Sequence, residues 1–198
     1  MHSRSMVQSG GMAQQDKVRR RWDRRAPGYD AGSDRTERVM IGDSREWIAS
    51  RARGRTLEVA IGTGRNLRFY PANVELVGID LSPGMLAVTR QAATDLGRAI
   101  ELHEGDATHL PFPDGSFDTV VCTLAVCSVP DRPAAIAEMH RVVRPDGLLL
   151  LLDHMEHRWL RGLPATLAVR QGFRIEERKR TWLGGIDRLA ARKVPVAS

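Results

Sequence analysis

The segment LEVAIGTGRNL, Leu57 to Leu67, runs from apolar residues into Gly62 and Gly64 and on towards a helix start. Glycines at such a junction let the backbone bend sharply and approach a ligand that a Cβ would hold away. In VGIDLSP, Asp80 closes a second apolar run 16 residues after Gly64, near the spacing at which a carboxylate accepts both vicinal hydroxyls of a ribose. In EGDATHLPFPDGSFDTVV, Asp106 ends a third run beside Ala107. An acceptor there can take the exocyclic amine of an adenine while the next backbone N–H meets a ring nitrogen. Each feature alone is more readily structural than functional: a turn glycine, a helix-capping aspartate or a surface aspartate. Their order, glycines then Asp then Asp at successive strand ends, predicts a nucleoside site. A nicotinamide-dinucleotide fingerprint would need a further glycine three residues after Gly64, where Leu67 stands, so that pattern fails.

The elements that would position these residues alternate. Strand-like runs begin at Thr56, Glu75, Ile100, Thr119, Leu148 and Arg174, with a last one near Ile186. Helices are predicted over Asp16–Arg25, Asp34–Ala52, Pro83–Leu96 and Pro133–Val143. Ser82 before Pro83 reads as a hydroxyl N-cap followed by a proline in the first turn. The runs at Thr119 and Leu148 are apolar at nearly every position, as in strands covered on both faces. A β-α-β series implies right-handed crossovers, a mostly parallel sheet, and ligands gathered beyond the carboxyl ends of the strands. The Gly184–Gly185 pair between the last two runs predicts an antiparallel hairpin at the sheet edge. Between Asp153 and Gly172 there is room for one short crossover helix, which predicts an open pocket unless an N-terminal segment built on WDRRAPGYD, or a second subunit, closes it.

Composition bounds the class. The chain has 198 residues, 42% of them hydrophobic and 27% charged, as in one globular domain. Residues 1–15 read as a flexible polar leader without the apolar centre of a secretory signal, residues 16–198 as the domain, and 16–52 within it as a helical lid. The longest apolar run, Leu148 to Leu152, is strand-sized and far from a membrane span. Cys122 and Cys127 lie in an apolar segment without Cys-x-x-Cys or His spacing, so no disulfide framework and no metal site is expected, and a reducing cytoplasm fits. The net charge of +6 raises nucleic acid or an anionic membrane as a partner. Much of it sits on Lys17 to Arg25 and on Arg174 to Lys193, where a solvated basic surface is the plainer reading.

Taken together, the three strand ends, the fourth strand and the PDG turn resemble a class I S-adenosylmethionine-dependent methyltransferase from about Tyr29 to Lys193. The broad family includes quinone-biosynthesis and other small-molecule methyltransferases. The resemblance implies a single-domain, Rossmann-like α/β fold with a mostly parallel seven-stranded sheet and a C-terminal antiparallel hairpin. It implies S-adenosylmethionine as cofactor and S-adenosylhomocysteine as product. Glu58, Gly62 and Gly64 would surround the methionine part, Asp80 the ribose, and Asp106 with Ala107 the adenine. Thr123 and Leu124 would present carbonyls to the methionine amino group. Tyr29, Ala60, Asn66, Leu81, Met85, Gly105 and Ser128 complete the implied cofactor set. The family's usual E-x-G-x-G-x-G carries Ala60 in place of its first glycine. VVCTLAVCSVPD and RNLRFYP are similar to alkyl thiol methyltransferases, and the early GYD to quinone and phospholipid methyltransferases.

Methyl transfer is an in-line displacement that needs donor and acceptor held in near-attack geometry without water. Tyr29 is the candidate lid residue over the methyl group, or else a packing residue. His154, just past the fifth strand, is the candidate base, or else a surface residue. The expected acceptor is a small molecule such as a thiol, phenol or quinone. A nucleic-acid methyltransferase is an alternative, but the fourth strand carries TLAVCSV where base-amine enzymes carry an Asn/Asp-Pro-Pro-aromatic motif. A non-catalytic cofactor-binding protein and a peripheral membrane enzyme are further alternatives, and monomer or homodimer both remain open.

Overall fold

Seven strands form one sheet in the order β3-β2-β1-β4-β5-β7-β6. The computed structural model describes residues 3–154, 163–181 and 185–195. The strands are β1 (Arg55–Val59), β2 (Glu75–Asp80), β3 (Glu101–Glu104), β4 (Phe117–Thr123), β5 (Val143–His154), β6 (Phe173–Thr181) and β7 (Ile186–Lys193). The first five pair in parallel, and β7 enters antiparallel between β5 and β6. The expected mostly parallel sheet with a C-terminal hairpin is therefore present. Of the hairpin's glycine pair, Gly184 lies outside the described residues and Gly185 stands in the turn leading into β7.

The central strands are apolar because both their faces are covered. Side chains alternate between faces along a strand. Val120, Cys122, Leu149 and Leu151 pack to one side with Ile136 and Met139 of α5 (Arg132–Val142) and Leu167 and Ala168 of α6 (Leu163–Arg170). Val121, Leu150 and Leu152 pack to the other with Ile48 of α3 (Ser44–Ala49) and Leu86 of α4 (Pro83–Asp95). Helix α6 is the short crossover expected between Asp153 and Gly172; residues 155–162 of that crossover lie outside the described residues.

Two helical expectations need correction. The helix predicted over Asp34–Ala52 is two helices, α2 (Tyr29–Met40) and α3. Gly42, at φ +52°, adopts the left-handed conformation that interrupts them. The helix predicted from Asp16 begins earlier, with α1 spanning Ser3–Arg25. Ser82 caps α4 as expected, its hydroxyl accepting from Met85 N at 3.1 Å. At the sheet's margins, β3 is four residues long, and β6 carries a register shift between Ile175 and Glu177.

Candidate functional site

Beyond the carboxyl ends of β1, β2 and β4 lies a cavity of about 380 Å³, within the ~300–1,000 Å³ usual for small-molecule sites. Its floor is built by backbone geometry. After β1 the chain turns through Ala60, Gly62 and Gly64 with positive φ at each, +55°, +62° and +76°. A Cβ on Gly64 would come within 2.8 Å of Leu67 Cδ1, whereas one on Gly62 would meet nothing within 4 Å. Gly62, which lines the cavity, thus leaves open space beside its backbone. Ala60 tolerates a conformation that disfavours a Cβ by roughly 1 kcal/mol.

Asp80 fixes this loop. Gly62 N donates to its Oδ2 at 2.8 Å and Ser82 N to its Oδ1 at 2.9 Å. Burial pushes its carboxyl pKa up against the pull of these backbone donors. Each oxygen retains a lone pair for a ligand hydroxyl. Asp106, at the end of the loop after β3, accepts from Thr108 N at 3.0 Å and Thr108 Oγ1 at 2.6 Å. Leu81, Met85, Gly105, Ala107, Thr123, Leu124 and Ser128 join Asp80 and Asp106 around the same cavity.

The roof comes from the N-terminal helices. Gln14, Val18 and Trp22 line the cavity from one face of α1, and Tyr29 from the start of α2. Trp22 and Tyr29 meet edge-to-face with ring centroids 5.9 Å apart. Burial raises the Tyr29 phenol above its usual range, so it is a protonated hydroxyl at neutral pH. Gln15 Nε2 donates to Asp106 Oδ2. Asp23 Oδ1 accepts from Ser82 Oγ at 2.6 Å and Gly84 N at 3.1 Å, fastening α1 to the start of α4. Glu37 of α2 accepts from Arg45 Nε at 2.9 Å and pairs with Arg65 Nε at 3.1 Å, while Asp30 accepts from Thr63 Oγ1 at 2.7 Å. These side chains tie α2 and α3 to the glycine loop.

Glu58, Gly64, Asn66 and His154 stand off the lining. Glu58, 1% exposed, lies behind it. It accepts from Asn66 Nδ2 at 2.6 Å and Tyr70 OH at 2.8 Å, with Thr123 Oγ1 at 3.4 Å. Burial, opposed by those donors and by Arg45, raises its pKa to about 7. Arg45 Nη1 donates to Asn66 Oδ1 at 3.1 Å, so the buried carboxylate and the cavity wall share one network. His154 instead sits beside Asp153 at the end of β5. Arg45, Arg65 and Thr63 escape a sequence reading. For α1 alone there is a signal, since Gln15, Val18 and Trp22 recur at three- and four-residue spacing.

Known proteins share this fold. Residues 57–151 match the model of the methyltransferase domain family. A phosphatidylethanolamine N-methyltransferase of Cereibacter sphaeroides is 42% identical over 103 residues, 51% of each chain. A demethylmenaquinone methyltransferase of Deinococcus radiodurans is 39% identical over 139 residues, 65% of this chain and 56% of that one. The chain thus spans roughly half the length of these curated relatives. Among solved structures, YcgJ of Bacillus subtilis superposes with a TM-score of 0.64 at 18% identity, covering 79% of this chain and 98% of that one. The cyclase SpnF superposes at 0.67 and 20% identity, covering 78% and 80%. The fold is that of class I methyltransferases, and the segment 57–151 resembles a methyltransferase domain. The curated proteins that this segment resembles include quinone methyltransferases.

Proposed function

We propose that the protein transfers the methyl group of S-adenosylmethionine to a small, largely apolar acceptor held between the strand-end loops and α1. The observation that carries this reading is the convergence of Asp80, Asp106 and the Gly62 backbone on one cavity. The residues present fit the cofactor: two carboxylates with spare acceptor capacity, a glycine whose Cβ position is open space, and a buried network behind the wall. When bound, the sulfonium supplies an electrophilic methyl carbon. Asp80 would hold the ribose hydroxyls, Asp106 and the Ala107 backbone the adenine, and Thr123 and Leu124 the methionine end. Glu58 and Asn66 act on that end through Thr123 and Arg45 rather than by lining the cavity.

Val18, Trp22, Leu124 and Val129 give the acceptor side an apolar wall that displaces water. Tyr29 offers a hydroxyl at that wall to orient an acceptor heteroatom. A base must reach the proton it removes, and His154 lies off the lining, so Tyr29 is the better placed of the two predicted catalytic residues. No helix among the described residues is long and apolar enough to cross a membrane. The relatives' printed names, for a phospholipid and a quinone, favour an apolar acceptor.

The test is calorimetric binding of S-adenosylmethionine and S-adenosylhomocysteine, with NADH as control, to the wild type and to Asp80→Ala. Micromolar binding of the first two that is lost in the variant is expected. No binding, or a preference for NADH, would overturn the reading. The superposition with SpnF makes the second reading, a cofactor-binding fold turned to other chemistry, concrete. Retained cofactor binding without methyl transfer to thiols, phenols or quinones would favour it.

A further inference from the structure

The β4-to-α5 loop and the end of β5 bring a sulfur, an oxygen and a nitrogen donor together. Candidate ligand atoms of Cys127, Asp153 and His154 all lie within 4.8 Å of one another. The tetrahedral bonds of a zinc ion, about 2.0–2.3 Å long, place ligand atoms roughly 3.3–3.8 Å apart, so closing the set takes about an ångström of side-chain adjustment. His154, with 37% of its side chain exposed, has room to move.

The carboxylate is aimed before any ion arrives. Cys127 N donates to Asp153 Oδ2 at 2.9 Å and His154 N to Asp153 Oδ1 at 2.7 Å, and the Cys127 thiol also hydrogen-bonds to this carboxylate. Asp153 is 1% exposed, and among the described residues neither arginine nor lysine forms an ion pair with it. The basic group paired with it, His154 Nδ1 at 4.0 Å from Asp153 Oδ1, is charged only when protonated, and a buried carboxylate without a permanently charged partner is costly. A divalent ion would offset that cost.

We propose that Cys127, Asp153 and His154 form a site for one zinc-class divalent cation at the carboxyl ends of β4 and β5. Thiolate with imidazole selects zinc over magnesium or calcium, which prefer all-oxygen shells. On binding, the Cys127 S–H bond breaks, its proton goes to solvent, and the sulfur lone pair bonds the metal. Three protein ligands leave a fourth position for water or a substrate heteroatom. Cys127 lies between Ala125 and Ser128, both of which line the cavity, so that position would adjoin the acceptor wall.

Chelator-dialysed full-length protein titrated with cobalt(II) tests this directly. At one equivalent per chain, a near-ultraviolet thiolate-to-cobalt band and tetrahedral d–d bands are expected, and zinc(II) should displace both. Cys127→Ser should remove the thiolate band, His154→Gln should weaken cobalt binding about tenfold or more, and Cys122→Ala, altering the other cysteine, should keep the spectrum. Zinc should raise the melting temperature of the wild type but not of Cys127→Ser. Absence of the thiolate band, or its survival in Cys127→Ser, would overturn the site. Neither cofactor nor acceptor is present in this measurement, so its failure is distinct from failure of the methyltransferase reading.

Discussion

The floor and the roof of the cavity are held by different physics. The floor hangs on parallel strands and on backbone N–H groups donated to Asp80. The roof is held by side chains reaching across tens of residues: Asp23 to Ser82, Gln15 to Asp106, Arg65 to Glu37 and Arg65 to Asp30. Backbone-anchored geometry is rigid and barely depends on side-chain rotamers. Side-chain clasps release one at a time, each worth about 1 kcal/mol. The cavity therefore has one preorganised wall and one that opens at modest cost, as a site exchanging ligands requires.

The largest expected effect is on the floor. Asp80→Ala removes the two anchored backbone bonds and the proposed ribose contact together, and should weaken S-adenosylmethionine binding roughly a thousandfold, about 4 kcal/mol. A loss below tenfold by calorimetry would mean that the floor is not organised by this carboxylate.

Glu58 provides the next test. Its folded pKa of about 7 lies above its unfolded value, so its contribution to stability is fully present below the unfolded pKa and is lost as pH rises through about 7. Denaturant titrations should show wild type losing roughly 3 kcal/mol relative to Glu58→Gln between about pH 4 and pH 8. A pH-independent difference would show that the buried network neutralises the carboxylate after all.

On the roof, Asp23→Ala should cost roughly 1–2 kcal/mol through loss of an α4 capping partner. Amide exchange should speed up in α1 while β1 and β2 stay protected. Equal acceleration in the strands would erase the distinction between the two walls.

The smallest effect is a gain. Ala60→Gly relieves a left-handed alanine and should add about 1 kcal/mol to stability. Unchanged stability would place the strain of the loop elsewhere.

What could be read from the sequence follows the same division. Gly62, Asp80, Asp106 and Ala107 announce themselves because short-range rules govern them: a strand end, a turn, an acceptor at a fixed remove. The sheet is legible for the same reason, since continuous apolar runs such as Leu148–Leu152 report burial on both faces. The break at Gly42 is not, because a lone glycine inside a helical pattern is often tolerated. Arg45, Arg65 and Thr63 were out of reach, because nothing local says that an arginine 21 residues before Asn66 will find it. Glu58 shows a finer limit. Its motif is visible, yet only the structure shows that Asn66, Tyr70 and Thr123 turn it away from the cavity.

The margins of the sheet carry a consequence for how copies of this chain meet one another. β6 is an outermost strand with exposed Arg174, Glu176, Glu177, Lys179 and Arg180, kinked by its register shift, while β3 at the opposite margin spans four residues. A second chain hydrogen-bonding onto either margin would have to desolvate that charge or match a bent or very short ladder. Chains crowded together during synthesis would thus be discouraged from propagating the sheet into fibrils, so the charged edge would also serve as protection against aggregation.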